Sequence, residues 1–157
     1  MPDVITEQHV LELKQTYPYA PDRVFDAMTR PEQLMKWFGP AGYETVEAEV
    51  DLRGGGRYRI VMRKVPDGAP FSVGGVYQEV VPNERLQFTW RWNGSHDEGI
   101  ETLVTMEFHG QGGATELVLR HERFPTSDMR DRHNTGWSSV LDRLAEHCNT
   151  LKQGASQ

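Results

Sequence analysis

The chain has 157 residues, 37% of them hydrophobic, and a net charge of −6 at pH 7. This length fits one domain around one core, and the evenly mixed charges exclude the concentrated basic face that a nucleic-acid-binding protein needs. No apolar run approaches the roughly 20 residues of a membrane-spanning helix. The first residues lack the basic and apolar segments of a secretory signal, and Cys148 is the only cysteine. We therefore expect a reduced, cytoplasmic protein without disulfides.

The N-terminal part of the chain predicts one strand and two short helices. Apolar and polar side chains alternate over residues 10–17, as they do in a half-buried strand. Pro21 and Pro31 then open two helical patterns, at the first-turn position that suits proline. In the second pattern, residues 32–38, we expect these side chains to be buried: Leu34, Met35, Trp37 and Phe38. No parallel-sheet pattern follows, so we interpret the helices as a prop for a sheet and not as a crossover between parallel strands.

The middle of the chain predicts six further strands joined by short turns. The strands cover residues 43–52, 57–65, 71–81, 85–92, 100–109 and 115–123. The segments between most of them carry the glycine, proline and asparagine residues that tight turns require, as in 54–56, 66–68 and 110–113. Short connections of this kind are typical of antiparallel strands that pair in chain order.

The C-terminal segment, residues 124–151, predicts one long helix. Its apolar side chains recur at steps of three and four residues, which places them on one stripe: Met129, His133, Trp137, Val140, Leu141, Leu144, Cys148 and Leu151. Thr126 or Ser127 is suited to cap its N-terminus. Gly136 within this pattern costs roughly 1 kcal/mol relative to alanine, so we expect it to serve close packing or to leave room for a ligand.

These elements predict the α+β fold class. A curved antiparallel sheet of about seven strands would wrap around the long C-terminal helix, with the two short helices after the first strand. We expect a single domain over residues 8–152, with flexible termini at 1–7 and 153–157.

Several segments resemble one known superfamily in their order along the chain. They are residues 21–28 (PDRVFDAM), 34–40 (LMKWFGP), 51–59 (DLRGGGRYR), 75–86 (GVYQEVVPNERL), 88–90 (FTW) and 136–137 (GW). Together they resemble the SRPBCC or START-like helix-grip superfamily, and within it the homologues of the activator of the heat shock protein 90 ATPase. The resemblance implies the helix-grip fold and a cavity between the long helix and the concave face of the sheet.

The alternation of the strands and the buried positions of the predicted helices independently indicate which side chains face this space. The predicted ligand-binding residues are Trp37, Tyr58, Ile60, Met62, Phe88, Trp90, Trp92, Met106, Leu119, His121, Met129, His133 and Trp137. Aromatic side chains with polar tips, methionines and two histidines favour a cavity, because a plain core more often consists of leucine, isoleucine and valine. The alternative is a filled core, since aromatic and methionine side chains on the inner face of a sheet often pack together.

His121 and His133 are the candidates for polar recognition or acid–base catalysis, because the pKa of histidine lies near neutrality. The alternative is that both are hydrogen-bonded core residues, since no nucleophile or paired carboxylate accompanies them. The six histidines and one cysteine lack the spacing of metal ligands. The glycines of 53–57 lack the Lys-Ser/Thr pair of a phosphate-binding loop. We expect neither a metal nor a cofactor.

Three functions follow from these observations. The first is binding of a small hydrophobic or aromatic ligand in the cavity. The second, implied by the superfamily, is an enzyme of the polyketide cyclase or dehydratase type that uses His121 or His133. The third, implied by the family, is regulation of the heat shock protein 90 ATPase through the protein surface. The resemblance also allows a homodimer, whereas we expect no nucleic-acid or membrane partner.

Overall fold

The computed structural model describes residues 9–94 and 97–155, with side chains described as far as residue 150. In chain order its elements are β1 (His9–Tyr17), α1 (Pro21–Thr29), α2 (Pro31–Trp37), β2 (Tyr43–Val50), β3 (Arg57–Lys64), β4 (Phe71–Val81), β5 (Arg85–Asn93), β6 (Glu101–Gln111), β7 (Ala114–Phe124) and α3 (Ser127–Ala155). The predicted α+β fold class and the order of elements are confirmed. The predictions for residues 1–7 and 156–157, and for the side chain of Leu151, lie outside the described residues.

Within the described residues, seven strands form one antiparallel sheet in the order β1-β7-β6-β5-β4-β3-β2. Strands β2 to β7 pair in chain order, because the turns between them are too short for a crossover. β1 and β2 lie at opposite edges, so the chain must cross the sheet between them, and α1 and α2 make that connection. The helices therefore join no parallel neighbours, as the sequence predicted.

The strand boundaries differ from the predicted ones by one or two residues, and only β4 coincides with its predicted range, 71–81. The turn predicted at 110–113 is shorter, because the pairing of β6 and β7 continues to Gln111 and Ala114. Gly112 and Gly113 form this two-residue turn with φ angles of 60° and 91°. Two-residue hairpin turns of this kind need positive φ, which glycine adopts without strain.

Each helix begins where its sequence predicted, and each buries one face. Pro21 and Pro31 are the first residues of α1 and α2. The prediction that Met35 is buried was wrong, since 47% of it is exposed. Leu34, Trp37 and Phe38 share a face at steps of three and four residues, whereas Met35 is turned about 100° from Leu34. In α3, every described member of the predicted apolar stripe is buried.

The long helix α3 is capped at its start and packed on the sheet along its length. Thr126 accepts a hydrogen bond at Oγ1 from the backbone N–H of Met129, at 3.1 Å, and so is the capping residue. Near the middle of the helix, the hydroxyl of Tyr17 on β1 donates to the Leu141 carbonyl at 2.9 Å. None of the described helices combines the length and the apolar character needed to cross a membrane.

The segment between α2 and β2 is fixed to α3 by polar contacts. Arg143 donates from Nη1 to the carbonyls of Gly39, Pro40 and Tyr43, at 2.9, 3.2 and 3.0 Å. One turn earlier on α3, Ser139 Oγ accepts from the backbone N–H of Ala41 at 2.8 Å. This segment has no regular hydrogen-bond ladder of its own, so these contacts with the helix hold it in place.

Candidate functional site

A cavity of about 280 Å³ lies between the sheet and the N-terminal half of α3. Its walls come from the segment after α2, from strands β3 to β5, from α3 and from a charged rim. The lining residues are Phe38, Pro40, Tyr43, Met62, Phe71, Trp90, Trp92, Asp97, Arg132, His133, Gly136, Trp137 and Val140. Most of these side chains are apolar or aromatic, as is typical of small-molecule sites.

Aromatic side chains from strands β4 and β5 form most of the wall on the side of the sheet. Phe71 on β4 pairs with Met62 on β3, and its ring lies 5.7 Å from that of Trp92 on β5. Trp90, two residues earlier on the same face of β5, meets Trp92 edge to face at 5.4 Å. From the helix side, the ring of Trp137 lies 5.0 Å from that of Trp90.

Gly136 leaves space on the side of the cavity that α3 forms. An added Cβ at this position would meet no atom within 4 Å. Gly136 therefore does not serve close helix packing, which was one of the two roles predicted for it. It lines the cavity, so the absence of a side chain enlarges the space that faces the sheet.

The rim of the cavity carries one bidentate ion pair. Arg132 donates from Nη1 and Nη2 to the two carboxylate oxygens of Asp97, at 2.7 and 3.2 Å. The same guanidinium donates from Nε to Asp128 at 3.1 Å. The charge of Arg132 is thus already paired with carboxylates of the protein.

His133 lies at the inner side of this rim, with both ring nitrogens in hydrogen bonds. Nδ1 donates to the Met129 carbonyl at 2.8 Å, and Nε2 accepts from Trp92 Nε1 at 2.9 Å. A carbonyl only accepts and an indole N–H only donates, so these partners fix one neutral tautomer. Burial lowers the pKa of His133, although the hydrogen bond to Met129 opposes this effect.

His121 is buried beside His133 and is held in the same way. Its Nδ1 accepts from Trp137 Nε1 at 3.0 Å, and its Nε2 lies 2.7 Å from Thr102 Oγ1. The Thr102 hydroxyl donates to the Trp90 carbonyl at 3.1 Å, so Nε2 of His121 is the donor to Thr102. Burial lowers the pKa of His121 well below its usual value, and His133 lowers it further. Both histidines are therefore neutral and fully hydrogen-bonded.

The structure distributes the thirteen predicted site residues over three environments. Five line the main cavity: Met62, Trp90, Trp92, His133 and Trp137. Three line a second, internal cavity of about 20 Å³, which shares the lining residues Phe38, Trp90 and Trp137 with the first: Tyr58, Ile60 and Phe88. The other five are buried and line neither cavity: Trp37, Met106, Leu119, His121 and Met129. Which of these thirteen contact a ligand stays a prediction.

The five core residues lie where helices or hydrogen bonds already fill the space. Met106 and Leu119 are paired partners on β6 and β7. Near them, Phe25 of α1 packs against Phe108 of β6 with ring centroids 5.3 Å apart. Trp37 is buried beside α1, where its Nε1 donates to the Ala27 carbonyl at 2.9 Å.

Several lining residues were missed by the sequence interpretation. Phe71 could have been found, because it alternates in step with Val73 on β4. Pro40 and Tyr43 flank an irregular segment, where no periodicity indicates which side chain points inward. Asp97 belongs to a loop, and Arg132 precedes a residue of the apolar stripe, so the periodicity does not include it.

A larger depression of about 610 Å³ lies on the outer face of strands β3 to β5. Small residues of β4, including Gly74, form its floor, and Arg59 and Arg91 pair with Gly74 on either side. Charged side chains of both signs line it, among them Glu49 and Glu101. Volume alone does not identify a site, and polar groups make up a larger share of this lining than of the lining of the inner cavity. Among the described residues, no group of three or more His, Cys, Asp or Glu side chains is placed to hold a metal ion.

Comparisons with known proteins agree with this architecture. A family model described as Activator of Hsp90 ATPase homolog 1-like protein matches residues 18–149. No match was found among curated proteins. Among solved structures, the AHSA1 protein of Silicibacter pomeroyi has 29% sequence identity and a TM-score of 0.79, over 90% of this chain and 99% of that one.

Two further solved structures are similar to a comparable degree. A protein of Chromobacterium violaceum has 27% identity and a TM-score of 0.77, over 88% of this chain and 96% of that one. A protein of Nitrosomonas europaea has 26% identity and a TM-score of 0.76, over 90% of this chain and 94% of that one. The coverage shows that these structures share most of the helix-and-sheet unit.

Proposed function

Because the chain belongs to the Activator of Hsp90 ATPase homolog 1-like family, within the SRPBCC superfamily, as its sequence motifs indicated, we propose that it binds a small apolar ligand between the sheet and α3. The observation that carries this proposal is the 280 Å³ cavity with its aromatic walls. A filled core would close this space, because protein interiors pack at close to crystal density.

Gly136 supports the same conclusion. A glycine in the interior of a helix costs about 1 kcal/mol relative to alanine. No neighbouring atom lies within 4 Å of the position that a Cβ would take, so packing gives no reason for the glycine. Room for a ligand is a reason that the geometry does supply.

The hydrogen bonds of the two histidines favour binding over acid–base catalysis. A general base needs a free lone pair within reach of the proton that it abstracts. Trp92 occupies the lone pair of His133, and Trp137 occupies that of His121. Each ring would have to lose an indole partner before it could accept a proton from a ligand.

Thermal unfolding in the presence of a panel of lipids, aromatics and polyketide-like compounds tests the proposal. A ligand at 100 times its Kd stabilises the fold by about 2.7 kcal/mol. In a domain of this size, such a gain raises Tm by about 5–10 °C. We expect one chemical class within the panel to give shifts of this order.

Two leucine variants on α3 provide the matched controls. Gly136→Leu places a side chain in the cavity and should abolish the ligand-induced shift. Ser138→Leu adds the same side chain on the exposed face of the helix and should leave the shift unchanged. Equal shifts in both variants, or no shift with any compound in the unmodified protein, would contradict binding in this cavity.

A further inference from the structure

The four tryptophans of the chain differ in one respect, the partner of the indole N–H. Trp37 donates to a backbone carbonyl, and Trp92 and Trp137 donate to histidines. Trp90 is only 4% exposed, yet its Nε1 has no acceptor. Among the described residues it is the one buried side-chain nitrogen or oxygen without a hydrogen-bond partner.

An unpaired buried donor needs a physical explanation. A buried N–H that has lost water and gained no acceptor destabilises the folded state, so most such groups in proteins are paired. The neighbouring tryptophans, Trp92 and Trp137, both donate to histidine nitrogens of the protein. An acceptor that arrives with a ligand would explain why Trp90 has none in the protein itself.

The position of Trp90 fits that role. Trp90 lines the main cavity and also the internal cavity of about 20 Å³ behind it. Its ring forms part of the wall that a bound molecule would contact, between Trp92 and Trp137. Nε1 is covered in this structure, so the hydrogen bond to a ligand requires the indole ring to tilt toward the main cavity.

The chemistry of the lining narrows the class of ligand. The indole N–H only donates, so the ligand must carry an acceptor such as a carbonyl oxygen. The cationic residue at the rim, Arg132, is already paired with Asp97 and Asp128. Since an unpaired charge is costly to bury, the cavity favours an uncharged ligand.

Size and wall composition give the shape of the ligand. An apolar cavity of about 150 Å³ holds one benzene ring, so the 280 Å³ of this cavity correspond to roughly two fused rings. Flat aromatic molecules suit walls of Phe71, Trp90 and Trp92, because aromatic pairs gain from offset-stacked or edge-to-face contact.

We propose that Trp90 selects an uncharged, bicyclic aromatic ligand with a carbonyl-type acceptor, which accepts a hydrogen bond from Nε1. This inference rests on the proposed function, because it concerns the same cavity. It makes Trp90 the specificity-determining residue, whereas the other aromatic walls contribute apolar contact without distinguishing the acceptor.

Calorimetric titration with three probes of similar size tests the proposal. The probes are 2-acetylnaphthalene, its hydrocarbon analogue 2-isopropylnaphthalene, and the anion 2-naphthoate. We expect the ketone to bind about tenfold more tightly than the hydrocarbon, as one additional hydrogen bond to an otherwise unpaired donor predicts. The anion should bind more weakly than the ketone.

Trp90→Phe keeps an aromatic ring and removes the N–H, so it should bind the ketone and the hydrocarbon equally. Trp37→Phe, which removes an indole N–H outside both cavities, should retain the tenfold preference. In ¹H–¹⁵N spectra of the unmodified protein, the ketone should shift the Trp90 indole signal more than the hydrocarbon does. This spectrum, with the signals assigned through nuclear Overhauser contacts, decides the question if a variant does not fold.

The outcomes separate the two proposals. Equal binding of ketone and hydrocarbon by the unmodified protein would overturn the role of Trp90 and leave binding in the cavity intact. Tightest binding of the anion would overturn the uncharged class of ligand. Absence of binding by all three probes would overturn this inference, whereas the wider compound panel would still test the proposed function.

Discussion

Gly136 is the residue at which helix stability and cavity volume are expected to oppose each other. Gly136→Ala should raise the free energy of unfolding by about 1 kcal/mol, because alanine is the better helix former and its Cβ meets nothing within 4 Å. Urea denaturation measures this gain. A loss of stability would show that the site tolerates no side chain and would contradict the open space assigned to Gly136.

The buried histidines predict how stability depends on pH. Burial lowers the pKa of His121 well below the value of 6.5 expected in the unfolded chain, and burial also lowers the pKa of His133. As pH falls below about 6.5, the unfolded chain therefore takes up protons that the folded protein does not, and stability falls. The stabilisation is fully present above pH 6.5 and is lost on acidification.

Substitution of His121 tests this assignment. His121→Gln should reduce the loss of unfolding free energy between pH 6 and pH 5, by at most about 1.4 kcal/mol per pH unit, the slope of one proton. Urea denaturation at several pH values gives the slopes. His109→Gln, at an exposed position on β6, is the control. An unchanged slope in the His121 variant would contradict a neutral, buried His121.

At the scale of secondary structure elements, sequence patterns predicted an element correctly wherever interactions between nearby residues determine it. Pro21 and Pro31 begin helices because their fixed φ suits the first turn. The described apolar stripe of α3 is buried because its period matches the helical repeat. The error at Met35 arose from counting apolar residues in a short helix without their angular positions.

The cavity could be predicted only in part, because two of its features depend on contacts between distant residues. The segment from Phe38 to Tyr43 has no periodicity, and Arg143, about 100 residues away, fixes its position. The hydrogen-bond partners of the histidines are also distant in the sequence, since Trp92 and His133 lie 41 positions apart. Alternation indicates which face a side chain occupies but not which hydrogen bond it forms.

Arg143 gives a prediction at this scale. Arg143→Met should lower the free energy of unfolding by about 2–3 kcal/mol, because three backbone carbonyls lose a charged donor. It should also weaken ligand binding, since Pro40 and Tyr43 form one wall of the cavity. Arg120→Met on the outer face of β7 removes only an exposed ion pair and should cost little. Equal effects of the two variants on stability would contradict the anchoring role of Arg143.

At the scale of the whole molecule, the open sheet and the single long helix together create the site. The part of the sheet that α1 covers is filled by contacts such as that between Phe25 and Phe108. The side beneath the N-terminal half of α3 keeps a space bounded by aromatic side chains, Gly136 and the rim ion pair. The fold is shared across the family, and the proposed ligand binding depends on the residues of this chain that line the space.

A crystal structure of the protein soaked with 2-acetylnaphthalene shows directly whether an aromatic ketone binds beneath α3. We expect electron density for the probe inside the cavity, between Gly136 and the rings of Phe71 and Trp90. Density only on the outer face of the sheet, in the depression beside Gly74, or an empty cavity at saturating probe would overturn binding of this class of ligand in the cavity.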